Sequence, residues 1–172
     1  MIESLLIGTL SSFIASIIFI SALYYIRPKI DISPFIARSK NEEGKTTYKW
    51  KIVNKQRRKV INLKAEIHIL RTYNIPDGKG SDSKKIELKR NEIFCLAPYN
   101  KAEDAMNFDF RFITYEDIES LWEDKGGRCI RLQVSATDAF SNFTKIFTKL
   151  YYKKRFSIKE GVHLAGSSLD VG

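Results

Sequence analysis

Side chains able to do chemistry are sparse in this 172-residue sequence. His68 and His163 stand far apart, and neither has an Asp, Glu or Cys at a spacing that holds zinc. His68 falls on the polar side of an alternating stretch, where solvation accounts for it. Cys95 and Cys129 both lie in apolar strand-like text and read as reduced, buried thiols rather than a redox pair. Asp77-Gly-Lys-Gly-Ser-Asp-Ser has the glycines and lysine of a phosphate loop, but Gly-x-x-x-x-Gly-Lys-Ser/Thr is missing and no long helix follows it. No nucleophile elbow occurs. The expectation is a protein that is not an enzyme and carries no cofactor or metal.

Basic residues are what remain. Lys49, Lys51, Lys55, Arg57, Arg58 and Lys59 surround one turn, and Lys145, Lys149, Lys153, Lys154 and Arg155 mark a later strand and its exit. Their chemistry is anion binding. Lys55, Arg57, Arg58, Lys59, Lys153, Lys154 and Arg155 are therefore the candidate ligand- or lipid-binding patch. Beside a membrane the nearest anions are lipid headgroups, with each basic group near the surface contributing on the order of 1 kcal/mol. A nucleotide or nucleic acid is the alternative ligand, since exposed Arg beside Tyr and Trp can grip phosphates and stack bases. The plain alternative is that these lysines keep an edge strand soluble.

The elements that position these groups follow from the charge distribution. The formal charge is +9, yet no Lys or Arg precedes Arg27, and Glu3 is the only acid before it. The uncharged run Ser4–Ile26 would span roughly 34 Å as a helix, enough to cross a hydrocarbon core. Tyr24 and Tyr25 suit the interface, and Arg27 and Lys29 the headgroups. The leader Met-Ile-Glu-Ser lacks the basic region of a cleaved signal, so the run reads as a retained anchor. Arg27, Lys29 and Arg38 follow the run while Glu3 precedes it. The positive-inside tendency then sets the N-terminus outside a bacterial inner membrane and the remainder in the cytoplasm. Ser4, Gly8, Ser12 and Ser16 recur every fourth residue, a small-residue ridge through which helices associate.

Beyond the anchor the apolar period changes to two. Ile30 and Ile32 begin a strand that Pro34 interrupts. Tyr48, Trp50 and Ile52 alternate with Lys49 and Lys51, and Ile61, Leu63, Ala65, Ile67 and Ile69 with Asn62, Lys64, Glu66 and His68. Further strands are expected over 84–90, 93–97, 106–113, 128–137 and 143–153. Asn74–Ser83 reads as a long flexible loop. Thr114 is placed to cap a short helix bearing Ile118, Leu121 and Trp122, with Glu116, Asp117, Glu119, Glu123 and Asp124 as an acidic patch. The expected fold is mainly β: a transmembrane anchor (1–28), an immunoglobulin-like antiparallel sandwich with one short helix (29–164) and a fraying tail (165–172).

The stretch Tyr48-Lys-Trp-Lys-Ile-Val-Asn-Lys-Gln-Arg-Arg-Lys-Val-Ile-Asn-Leu-Lys-Ala-Glu-Ile-His-Ile-Leu-Arg resembles the strand, basic turn, strand unit of the cytoplasmic immunoglobulin-like domain of inward-rectifier potassium channels. Val134-Ser-Ala-Thr-Asp-Ala-Phe-Ser-Asn-Phe-Thr-Lys and Leu150-Tyr-Tyr are similar to its later strands. The resemblance implies a sandwich beneath a membrane helix, oligomerisation and lipid-binding basic residues. It does not carry conduction, because the sequence contains neither a second apolar run nor Thr-Val-Gly-Tyr-Gly. The functional expectation is a single-pass, membrane-anchored sensing or interaction module that works as a homo-oligomer or with a partner membrane protein. The alternative is a stress or antiviral effector that binds a nucleotide-type anion and disturbs the bilayer.

Overall fold

The structure is a computed structural model that describes residues 2–100, 107–122 and 127–172, with side chains from Leu6 onward at the N-terminal end. Helix α1 (Ile2–Tyr25) is followed by strands β1 (Ile30–Ile32), β2 (Ile36–Lys40), β3 (Thr46–Asn54), β4 (Val60–Ile75), β5 (Gly78–Ile86), β6 (Glu92–Leu96) and β7 (Asp109–Thr114). Next come α2 (Ile118–Leu121), β8 (Arg128–Asp138), β9 (Thr144–Tyr151), α3 (Lys154–Ser157) and β10 (Ile158–Glu160). The strands make two sheets, which face one another as a sandwich. In one, β3 is flanked by β1 and β2 on one edge and β7 on the other, with β10 beyond β2. In the other, β4 lies between β8 and the pair β5 and β6, and β9 forms the outer edge. Among the described residues all strand pairings are antiparallel except β10 with β2, so the antiparallel expectation holds for the body and fails at this edge.

The period-two pattern is physically realised in β8, where Ile130, Leu132, Val134 and Ala136 are buried. They face a core that includes Trp50, Ile52, Phe112 and Ile36 from the other sheet. In β4 the register shifts between Ile61 and Lys64, and Asn62 adopts φ 52°. This bulge changes the side-chain parity, so Val60 rather than Ile61 is buried beside Leu63, Ala65, Ile67 and Ile69.

Four expectations are corrected. The segment Asn74–Ser83 is no free loop: β4 and β5 form a long ribbon in which Ile75 pairs with Gly78. Tyr73 lies across from Gly80, where a Cβ would sit 2.5 Å from its ring. Asp117, not Thr114, caps α2, accepting from the N–H groups of Glu119 and Ser120. Thr114 Oγ1 instead donates to Glu87 O at 2.6 Å, joining β7 to the chain beyond β5. Besides α2 there is the second short helix α3 at Lys154–Ser157. The expected acids Glu123 and Asp124, like Met106, lie outside the described residues.

The fourth correction concerns the end of the chain. Residues 165–172 fold back rather than fray, with His163 bridged to Val171 and Val162 exchanging backbone hydrogen bonds with Gly172. Ser33 Oγ donates to Leu169 O at 2.8 Å. This strap covers the outward face of β3, where the alternating pattern places Lys51 in water. Lys51 is fully buried instead, with Nζ 2.6 Å from both Leu164 O and Gly166 O and 2.8 Å from Asp109 Oδ2. Burial pushes the ammonium's pKa down, and the Asp109 carboxylate only partly opposes that.

Candidate membrane-proximal anion site

The last carbonyls of a helix have no partner within it. At the end of α1 the sandwich supplies them: Arg58 Nη2 donates to Tyr25 O at 3.0 Å, and Ser141 Oγ donates to Ile26 O at 2.8 Å. A guanidinium there also complements the negative end of the helix dipole. Arg58 is aimed by its second bond, from Nε to Asp138 Oδ2 at 2.9 Å, and Asp138 is fully buried. The same carboxylate accepts from Gln56 Nε2 at 2.7 Å and from the backbone N–H groups of Phe140 and Ser141. Burial pushes its pKa up, but these donors outweigh burial and hold it below the ordinary carboxylate value. Asn54 fixes the basic turn by donating to Arg58 O and Ala97 O. One ionised carboxylate thus ties together the β3–β4 turn, the β8–β9 loop and the exit of α1.

Beside this junction lies an open groove of about 440 Å³ between the last turn of α1, β1 and the start of β9. Arg27, Lys29, Lys55 and Lys145 line it, with Asp31 as the single acid and Tyr24, Ile30 and Phe147 as apolar wall. Lys55 Nζ is 3.9 Å from Asp31 and 5.4 Å from the centre of the Tyr99 ring. Lys29 lies over Tyr25 at 5.6 Å. Cations on three separate segments therefore converge where the helix ends, a geometry suited to a phosphate-bearing anion.

The candidate basic patch is divided by the fold. Lys55, Arg57, Arg58 and Lys59 stand at the α1 end, with Arg57 and Lys59 exposed and Arg58 committed to the helix end. Lys153, Lys154 and Arg155 follow the other end of β9, roughly 23 Å away for a strand rising about 3.3 Å per residue. There Lys154 Nζ donates to Glu119 O at 2.8 Å, while Glu119 also binds Arg38 at 2.7 Å and Tyr48 Oη at 3.0 Å. Arg38 further pairs with Glu160. Lys154 thus belongs to a network that fastens α2 and α3 to β2, while Lys153 and Arg155 are exposed at that end, away from the first cluster. Arg27, Lys29 and Lys145 are the groove residues that pattern reading left out of the site. Arg27 and Lys29 flank Pro28 at the helix end, whereas Lys145 reaches them only because β9 packs beside β1.

Along α1, the apolar window Leu6–Tyr25 has no buried residue, and Ile7, Phe13, Ile18 and Phe19 are each more than 60% exposed. Ser12 Oγ and Ser16 Oγ donate to Gly8 O and Ser12 O within the helix. Their polarity is thereby satisfied, and a Cβ at Gly8 would meet nothing within 4 Å. The side chain of Ser4 lies outside the described residues. Cys95 is exposed, against the expectation of burial, because the β4 bulge sets the pairing of β6 and leaves Ile93 and Leu96 inward. Cys129 is half-buried, and burial raises its pKa. Among the described residues no three metal-ligating side chains converge.

No family model matches the sequence, and no curated protein matches it either. Among solved structures the chain is similar to a FixG-related protein from Vibrio parahaemolyticus, at 14% identity over 74% of this chain and 96% of that one. The TM-score is 0.28, and a superposition of that quality carries no argument about fold or function.

Proposed function

We propose that the chain is a single-pass membrane-anchored interaction module whose sandwich lies against the cytoplasmic leaflet and holds an anionic phospholipid headgroup in the groove beside α1. The observation that carries this reading is the convergence of Arg27, Lys29, Lys55 and Lys145 at the helix exit. α1 is long and apolar enough to cross a membrane, and it stands clear of the sandwich, so its apolar surface has no cover within the chain. The hydrogen bonds from Arg58 and Ser141 support a retained anchor, because they give the sandwich a specific seat for the end of the helix. Cytoplasmic placement follows from the basic residues after the helix and Glu3 before it. The ridge of Ser4, Gly8, Ser12 and Ser16 offers a face for a second copy or another membrane helix.

Four cations opposed by one acid, each contributing on the order of 1 kcal/mol near an anionic surface, give a net attraction of about 2–4 kcal/mol that salt weakens. In nanodiscs made from mixed zwitterionic and anionic phospholipid, the full chain should retain an annulus enriched in the anionic lipid. Lys55→Ala with Lys145→Ala should lower its affinity for a fluorescent phosphatidylglycerol about tenfold, the equivalent of about 1.4 kcal/mol. Equal retention of both lipid classes by the parent chain would reject the reading.

A further inference from the structure

We propose that the β8–β9 loop, residues 139–143, is a second membrane contact, an aromatic wedge seated at the boundary of headgroups and acyl chains beside α1. Phe140 is 80% exposed and Phe143 is 40% exposed. These two aromatic side chains stand together on one turn beside the exit of α1, itself an uncovered apolar surface. The turn is built to hold that shape: Asp138 accepts from the N–H groups of Phe140 and Ser141, Asn142 donates to Asp138 O, and Asn142 itself takes φ 57°. Its depth is set by the 2.8 Å bond from Ser141 Oγ to Ile26 O. The residue next to Ser141 is about 3.8 Å from it along the chain, so Phe140 starts close to the exit of α1, the end of the helix that carries Tyr24 and Tyr25. Ala139 N donates to Lys59 O, which sets the exposed Arg57 and Lys59 beside the loop. An apolar tip with a basic rim at this depth fits the phospholipid interface, where rings sit among acyl chains and cations meet phosphates. The consequence is a two-point attachment that fixes the tilt of the sandwich on the bilayer, whereas a helix alone leaves it free to swing.

This inference rests on the membrane-anchored reading, and one experiment separates the two. The native tryptophans, Trp50 and Trp122, are both fully buried in the sandwich. In vesicles whose lipids carry bromine high on the acyl chains, the parent full-length chain should therefore show little quenching. Phe140→Trp should add emission that bromine lowers about twofold, as expected for a ring seated at the acyl boundary. Phe143→Trp should be quenched in the same direction, and Phe156→Trp, exposed at the far end of β9, should not. Samples are washed with alkaline carbonate first. If the chain stays in the membrane but Phe140→Trp emission is unquenched, the wedge is refuted and the anchor stands. A blue-shifted yet unquenched signal would mean that protein rather than lipid covers the ring, and it refutes the wedge equally. If the wash strips the chain from the vesicles, both readings fail.

Discussion

Replacing Lys51 by Met leaves a carboxylate stranded under the C-terminal strap. Lys51 has no exposed side-chain surface and Asp109 only 4%, so water cannot take the place of the ammonium. Breaking one partner out of a buried ion pair costs about 3–5 kcal/mol, mostly as the penalty of the charge left behind. Two features place this site at the low end. Arg111 Nη2 lies 3.5 Å from Asp109 Oδ2 and, being 33% exposed, can swing toward it. Leu164 O also keeps a donor, Arg111 Nη2 at 3.2 Å. The expected loss is about 3 kcal/mol, a large share of the roughly 5–15 kcal/mol that holds a domain folded. Lys51→Met combined with Asp109→Leu removes both charges. It should cost about 1 kcal/mol or less, because a well-packed apolar pair replaces an ionic one at little penalty. The double variant should then be about 2 kcal/mol more stable than Lys51→Met alone, and the coupling energy is larger than that by whatever Asp109→Leu costs on its own.

Urea unfolding of the full chain in mild detergent reads this directly. Both tryptophans belong to the sandwich, so their fluorescence follows that domain and not the helix. If Lys51→Met costs less than about 1 kcal/mol, or if the double variant is as unstable as the single one, the buried-pair argument is wrong.

The strap should also respond to pH. Burial pushes the His163 pKa down, despite the backbone groups of Lys49 and Asp170 that pull it up. A depressed folded-state pKa contributes stability that is present above the unfolded value of about 6.5 and is lost as pH falls through the folded value. Backbone amides of Val162 and Gly172 should therefore exchange hydrogen faster as pH falls below 6.5, after correction for intrinsic exchange, and His163→Gln should remove that step. At the junction, Asp138→Asn turns an acceptor into a donor facing either Gln56 and Arg58 or two backbone N–H groups. The expected cost is about 2–3 kcal/mol, discounted because Arg58 is 35% exposed. Urea midpoints check this, and an unchanged midpoint would show that Asp138 does not organise the junction.

How far the sequence carries depends on the range of the interaction. β8 was legible because its burial alternates with the pleat, and α1 because a charge-free run has few other uses. Lys51 was misread because its environment comes from residues 164–166, more than 110 positions later, and no local pattern encodes a strap that covers the outer face of a strand. Thr114 is a good cap residue and its Oγ1 does accept from the N–H of Glu116, but it ends β7, bonded to Glu87 O, and the helix begins only after Asp117. The basic patch was visible as composition. Which cations share a surface was not, because β9 carries Lys145 to one end of the sandwich and Lys153 to the other.

The junction gives the helix and the sandwich a common mechanical state. Arg58 donates to Asp138 through Nε and to Tyr25 O through Nη2, so its position is fixed from both sides. Ser141 makes the second crossing, to Ile26 O, from a loop that hangs on the other oxygen of the same carboxylate. Tilting or sliding α1 by more than about 1 Å lengthens both crossing bonds past useful hydrogen-bond geometry. Each charge-assisted or buried bond lost costs about 1–3 kcal/mol unless the loop moves with the helix. The loop cannot simply follow, since Asp138 is the buried end of β8, paired with Val60, and Ala139 N–H is bonded to Lys59 O. The groove beside the junction is lined from the helix exit, the basic turn and the start of β9, so it shares the first two of these parts with the junction.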